Sequence, residues 1–384
     1  MENLMIPKLE RRYDIDWLRI IAIIVIFFFH SARAFDHLSW EIKNNQSEIG
    51  FTIFVVFTSA WIMPLFFILS GMSCFYAIEF RPPKKFLKER TKRLIIPYIF
   101  GICTILSVHV YFEALYGNGI VPPFSGNFLN FYFLYYFFNG IYGFGGYFPL
   151  GGIYLWYLFF LFVFSIISLK FFLYLRKELN QKKIFKLAAF CNKPGGIFIL
   201  VIPMILLQIL GALIFPFIIL AGWSFLVHLC IFIYGYIFAS NTQFKKAIEK
   251  HLIVSFTFGI ISSIFVIIGY LSITDPFIFM LMFGILWPFN CLCWLITIIG
   301  LGIKFLNKDH KNLKFLNDLV LPFYILHQTI IIAVDYYVIH LETIVIIKYL
   351  IVLPIAFLIT VGLVLLIRKV KVLRFLFGMR LKKG

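Results

Sequence analysis

The chain has 384 residues, of which 62% are hydrophobic, 20% aromatic and 14% charged, and its mean hydropathy is +0.96. That balance excludes an ordinary soluble globular domain and describes a polytopic membrane protein. The formal net charge of +18 would suggest nucleic acid in a soluble protein, but the placement of the cations along this chain excludes that partner.

Hydropathy divides the chain into ten candidate spans, approximately 17–36, 51–78, 94–112, 152–172, 195–212, 223–240, 252–271, 277–301, 316–334 and 344–367. All but three of the 35 Lys and Arg residues fall on one side of these spans; Arg33, Lys43 and Lys348 are the exceptions. By the positive-inside rule both termini are cytoplasmic, and the positive charge forms a cytoplasmic collar facing anionic headgroups or an anionic substrate. The expected fold is all-α, with about ten transmembrane helices in a single membrane-embedded domain over residues 1–384. Residues 1–16 form its cytoplasmic N-terminal segment and 368–384 its basic tail. The expected location is the cell (inner or plasma) membrane. The N-terminus reads as a retained span, not a cleaved leader. Six Cys at Cys74, Cys103, Cys191, Cys230, Cys291 and Cys293 show no disulfide or metal-ligand spacing, so no metal is expected.

The first span, RRYDIDWLRIIAIIVIFFFHSARAFDH from Arg11 to His37, is the most informative stretch. A helix returns Arg19 and His30 to within about 20° of one face, roughly 16 Å apart along its axis. Asp16 and His37 fall near the same face. A cation at one membrane surface and an imidazole deep inside the bilayer are costly to keep, which favours a functional role. The alternative is a His that hydrogen-bonds a neighbouring helix.

Where the second span ends, the sequence runs ERTKRLIIPYIFG, with Arg90 and Arg93 three apart. On a helix they share a face at the cytoplasmic surface, and two guanidinium forks suit phosphate or pyrophosphate. A topology signal with lipid contact is the competing reading. Between the third and fourth spans, residues 113–152 are too aromatic for a solvated loop and too rich in Gly to span. They read as an interfacial helix near Phe128–Phe138 followed by a Gly-rich turn, which either roofs an outward cavity or rests on the membrane. Trp156 enters the fourth span as a belt residue. In the ninth span, LPFYILHQTI places His327 deep in an apolar run, with Tyr324 one turn before it, Gln328 beside it and Pro322 able to kink the helix. Outer-side acids (Asp36, Glu41, Glu48, Glu113, Asp275, Asp335, Glu342) read mostly as solvated loop residues.

Taken in order, DWLRIIAIIVIFFFH, PLFFILSG with the basic ERTKR loop, LWYL and LPFYILHQTI resemble the acyltransferase 3 family of integral membrane acyltransferases over nearly the whole chain. LPFYILHQTI most resembles the glucan-modifying succinyltransferase branch. Arg33 and His37 extend the polar face of the first helix past His30, a departure whose place in the family is open. No esterase-type domain follows the last span, so the acceptor is expected to meet the membrane domain itself.

The resemblance implies transfer of an acyl group, acetyl or succinyl, from cytoplasmic acyl-CoA to a hydroxyl of an extracytoplasmic glycan or related acceptor. Such O-acetylation or succinylation belongs to the cell envelope. Arg19, Arg90 and Arg93 would hold the nucleotide phosphates, with the pantetheine arm along Ile23 and Ile26. His30 would serve as general base or acyl carrier, and Tyr324, Arg33 or His327 as the oxyanion donor. The catalytic set is therefore His30, Tyr324 and His327. The expected partners are acyl-CoA, a carbohydrate or lipid-linked acceptor and membrane lipid, with a homodimer left open. The competing class is a transporter or flippase for a lipid-linked or anionic solute, which explains the spans and the basic mouth but not an Arg and a His at arm's length on one helix face.

Overall fold

The computed structural model describes residues 11–117, 119–215 and 218–380. Residues 1–10 of the expected N-terminal segment and 381–384 of the basic tail lie outside the described residues. Nine helices in the described chain are long and apolar enough to cross a membrane: Tyr13–Ala32, Ile49–Glu79, Pro83–Tyr116, Ile153–Leu175, Gly196–Ile214, Thr242–Ser272, Phe277–Leu306, Leu313–Val338 and Val345–Ile367. The remaining expected span is the shorter apolar helix Phe225–Ser240. Strand structure among the described residues amounts to one two-residue pair, Ile219–Leu220 against Trp223–Ser224, and two isolated bridges. The protein is an all-α polytopic membrane protein, and each expected span has its helix.

The boundaries differ where local chemistry overrides hydropathy. The first helix stops at Ala32 rather than near residue 36, because Arg33, Asp36 and Lys43 tie the next segment into a turn of its own. The Asp36 carboxylate accepts from the Leu38 amide at 2.8 Å, a side-chain turn that closes two residues on. His37 therefore leaves the helix face and bonds Thr52 instead, its amide at 3.0 Å from the hydroxyl. The third helix starts at Pro83 and contains two π-helical turns, Thr91–Ile95 and Gly101–Ile105. Pro97 has no amide to offer the Arg93 carbonyl, so the regular ladder is interrupted there. Near the second turn, the carbonyls of Ile102 and Cys103 are satisfied by the hydroxyls of Tyr136 and Tyr132.

The chain forms two compact units. The first comprises Met1–Ala22, Ser59–Phe86 and Phe164–Asn317. Its tightest crossing sets Ile62–Glu79 against Phe225–Ser240 through two glycines. A Cβ on Gly71 would stand 1.9 Å from the Phe232 carbonyl oxygen, and one on Gly235 2.0 Å from that of Ile68. Small residues let helix backbones approach in this way where lipid supplies no hydrophobic drive. Elsewhere in this unit Asn290 donates to the Gly259 carbonyl and to the hydroxyls of Ser262 and Ser263, a polar seam between two helices.

The second unit comprises Ile23–Thr58, Leu87–Val163 and Asp318–Gly384. Phe27, Phe323 and Phe357, one from each of three helices, meet with ring centroids 5.6 to 5.9 Å apart. The aromatic segment forms a short helix at Phe128–Asn130 that continues as a π-turn over Phe131–Tyr136, followed by Gly-rich turns. It packs Phe131, Tyr136 and Tyr147 onto Val110 and Ala114 of the third helix. Tyr142 donates to Glu113 at 3.1 Å, and burial followed by the Glu113 charge pushes its phenol up. This segment is thus anchored to the protein, while Leu129, Phe133, Phe138 and Phe144 remain exposed.

Candidate active site

The polar interior of the second unit is built from three stretches: the end of the first helix with the segment after it, the C-terminal half of the third helix, and the middle of the helix Leu313–Val338, the ninth when Phe225–Ser240 is counted. The first helix carries His30 into an apolar surrounding, with 8% of its surface exposed. His327 on the ninth helix is fully buried, and the two ring centroids are 5.2 Å apart. His327 Nδ1 lies 2.7 Å from the Tyr324 carbonyl oxygen. A carbonyl only accepts, so Nδ1 carries the proton and Nε2 the lone pair. That Nε2 and His30 Nδ1 are both buried, and neither has a hydrogen-bond partner among the described residues.

The segment after the first helix is itself a buried scaffold. Arg33 pairs with Asp36, donates to the Ser39 carbonyl at 2.7 Å and lies over the Trp40 ring, 4.5 Å from its centroid. Trp40 in turn stacks on His30, with centroids 5.6 Å apart and planes inclined by 27°. Lys43 Nζ bonds the Asp36 carboxylate at 2.8 Å and the Arg33 carbonyl at 2.8 Å. Burial lowers the Lys43 pKa, a shift opposed by its bond to Asp36. Lys348 closes the far end on Asn44 at 2.8 Å. The indole Nε1 of Trp40 is buried with no hydrogen-bond partner among the described residues.

Next to Trp40, Glu41 turns inward. Its carboxylate accepts from Gln328 Nε2 at 3.3 and 3.4 Å and lies 3.5 Å from His109 Nε2. Asp36, Glu41, Glu113 and Asp335 are all buried, against the expectation of solvated loop acids, whereas Glu48, Asp275 and Glu342 are exposed. Asp36 and Glu41 lie in the turn after the first helix, Glu113 and Asp335 within the last turns of their helices, and for Asp36, Glu41 and Glu113 a cation, amide or phenol compensates the lost water. Asp335 differs, since neither of its oxygens has a hydrogen bond among the described residues.

Of the expected catalytic set, His30, Tyr324 and His327 thus lie together in one unit. The Tyr324 hydroxyl donates to the Tyr154 carbonyl, and its own carbonyl holds His327. Its proton is committed, and so is much of the Arg33 guanidinium. Of the expected phosphate ligands, Arg90 and Arg93 belong to the same unit. Arg19 belongs to the first unit, where it donates to the Leu69 carbonyl at 3.2 Å and to the Ser73 hydroxyl, with Asp16 at 3.4 Å. Arg90 ends the helical turn Pro83–Arg90 half-buried, and Arg93 is exposed in the π-turn that follows. Their spacing is therefore not that of a regular α-helix. Ile23 and Ile26 are buried.

Sequence reasoning passed over Trp40, His109 and Tyr154 and did not single out Glu41. His109 carried a signal, being an ionisable residue inside an apolar span. Trp40 and Glu41 sit in a loop whose sequence, HLSWEIKNN, gives no periodicity to read.

The acyltransferase-domain family profile matches residues 12–369. Glucans biosynthesis protein C of Escherichia coli K12 is 27% identical over 93 residues, which are 24% of this chain and 24% of that one. The protein of the same name from Shigella dysenteriae serotype 1 is 26% identical over 93 residues, again 24% of each chain. The matched segment is therefore about a quarter of the length of these relatives. No solved structure matches. The family match covers nearly every described helix, together with the buried His30 and His327 pair, and the chain belongs to the acyltransferase 3 family of membrane acyltransferases.

Proposed function

We propose that this membrane acyltransferase moves an acetyl or succinyl group from cytoplasmic acyl-CoA to a hydroxyl of an extracytoplasmic glycan or related acceptor in the cell envelope. The observation that carries the chemistry is the pair of buried nitrogens without hydrogen-bond partners among the described residues, His30 Nδ1 and His327 Nε2, in rings 5.2 Å apart. A small rotation lets His30 Nδ1–H donate to His327 Nε2, which leaves the lone pair of His30 Nε2 facing the acceptor. His30 is then the general base, and His327 is the residue that orients it. The acceptor hydroxyl attacks the thioester carbonyl while His30 takes its proton. Collapse of the tetrahedral intermediate breaks the C–S bond, and His30 returns the proton to the departing thiolate of CoA. In the alternative, His30 itself attacks the thioester carbonyl, the C–S bond breaks to release the CoA thiolate, and the acceptor hydroxyl then displaces the imidazole from the acyl-histidine, giving up its proton to the thiolate.

The oxyanion needs a donor that is not already committed. Trp40 Nε1–H fits, since an indole nitrogen only donates and this one is buried beside His30 with no hydrogen-bond partner among the described residues. Tyr324 acts as a positioning residue through its carbonyl. Arg90 and Arg93 are assigned to the nucleotide phosphates. The names of the glucan-biosynthesis relatives support a glycan acceptor.

The test is thermal stabilisation of the purified protein by acetyl-CoA and succinyl-CoA, in wild type and in the double variant Arg90→Ala, Arg93→Ala. Stabilisation by one thioester that is lost in the variant is the expected result. If folded wild-type protein responds to neither donor, the assignment of acyl-CoA is wrong. Solute flux without acyl transfer would then point to a transporter.

A further inference from the structure

Beside the histidine pair is a second cluster that proton transfer does not use. Tyr154 joins it to the pair: its ring centroid lies 5.7 Å from that of His327 and 5.8 Å from that of His109, which in turn stands against Glu41. Gln328 Nε2 holds the two Glu41 oxygens at 3.3 and 3.4 Å. The other end of the same amide, Gln328 Oε1, is buried and has no hydrogen-bond partner among the described residues. His109, with no exposed surface, places Nε2 3.5 Å from Glu41 Oε1, and neither of its ring nitrogens makes a hydrogen bond among the described residues. Buried polar groups are almost always paired, and leaving several unpaired at one point is costly.

The orphaned atoms, Gln328 Oε1 and the two ring nitrogens of His109, have a shared preference. Gln328 Oε1 accepts, an imidazole ring offers an N–H and a lone pair, and the Glu41 carboxylate held by Gln328 adds acceptor oxygens beside them. A hydroxyl group, which both donates and accepts, satisfies such a set, whereas a carboxylate or phosphate on the acceptor would meet the charge of Glu41. We propose that Glu41, Gln328 and His109 form a hydroxyl-binding subsite that holds a second, unreacting hydroxyl of the acceptor beside the one acylated at His30. The inference rests on the acyltransferase reading above and adds the acceptor class: a neutral polyol, recognised by at least two of its hydroxyls.

The subsite makes the enzyme select by hydroxyl count. Purified protein is supplied with acetyl-CoA or succinyl-CoA and one of four small acceptors: 1-propanol, 1,2-propanediol, 1,3-propanediol or glycerol. Ester formation and CoA release are both measured. Wild type should esterify at least one of the polyols about 10- to 100-fold faster than 1-propanol at equal concentration, the range expected of a hydrogen bond to a charged group. In Glu41→Gln and in Gln328→Met the polyol-to-propanol ratio should fall toward one. Because the ratio is read within one preparation, loss of folded protein does not imitate the result. A ratio near one in wild type, as ordered water filling the subsite would give, overturns the proposal. So does a wild-type ratio retained in both variants, or CoA release without ester, each of which leaves acyl-CoA turnover standing. No CoA release from any mixture removes the acyltransferase reading itself, and the subsite with it.

Discussion

His327 Nδ1 lies 2.7 Å from the carbonyl oxygen of Tyr324, one turn earlier on the same helix, and this contact fixes which nitrogen of His327 bears the proton. The ring 5.2 Å away, His30, has a buried Nδ1 with no hydrogen-bond partner among the described residues, and in the tautomer that bears the proton there His327 Nε2 supplies its acceptor. Removing the base and removing its orienting partner should therefore differ in degree. His30→Ala should lower kcat for acyl transfer by about 10²- to 10⁴-fold, the usual worth of a positioned general base. His327→Phe, which keeps an aromatic ring of similar size but removes the lone pair, should lower kcat by about 10- to 100-fold. Donor binding, read by thermal shift, should survive both changes. Equal losses in the two variants would put both histidines on the substrate.

Trp40 separates packing from hydrogen bonding in one side chain. Its ring is held between the Arg33 guanidinium at 4.5 Å and the His30 imidazole at 5.6 Å, while its Nε1–H has no hydrogen-bond partner among the described residues. Trp40→Phe keeps an aromatic face for both neighbours and deletes only the donor. If that donor meets the oxyanion, kcat should fall about 100-fold with the donor KM unchanged. A Trp40→Phe enzyme within a few-fold of wild type would mean that the ring alone matters, and the oxyanion would need another donor.

Arg90 and Arg93 predict a binding effect without a chemical one. Each charge-assisted contact to phosphate is worth about 1.5–3 kcal/mol, so single Ala variants should weaken acyl-CoA binding by about 10- to 100-fold. Repeating the titration with dephospho-CoA assigns the contact: the variant whose loss disappears with that ligand is the one that reads the 3′-phosphate. Arg93 is exposed in a π-turn, and it is the residue we expect to respond.

The fold was legible because hydropathy and charge act over whole helices. Ten apolar runs became ten helices, and even the Phe225–Ser240 helix, too short to stand out by length, was marked by its composition. His30 and His327 were legible for the same reason, since an imidazole in an apolar run is an anomaly against a uniform background. The scaffold that holds them was not. Trp40, Glu41 and Asp36 lie in a turn where the choice between water and interior is made by specific partners, Arg33, Lys43 and Gln328, that are near in space but not in a periodic pattern. The π-turn after Arg90 was equally invisible, because an i, i+3 spacing presumes the ladder that Pro97 interrupts.

The Gly71 and Gly235 crossing gives a prediction about stability that is independent of the chemistry. Each glycine faces the backbone of the opposite helix, with a hypothetical Cβ about 2 Å from a carbonyl oxygen, and backbone cannot move aside as a side chain can. Gly71→Ala or Gly235→Ala should each destabilise the protein by about 1–3 kcal/mol by overpacking, seen as a lower midpoint of thermal unfolding in detergent. The double variant should cost less than the sum of the two, since the first substitution already forces the helices apart. Gly50→Ala is the matched control: it also lies in a helix, but a Cβ there would meet nothing within 4 Å, so its midpoint should not fall. If Gly71→Ala unfolds at the wild-type temperature, the two helices do not cross as closely as this geometry requires.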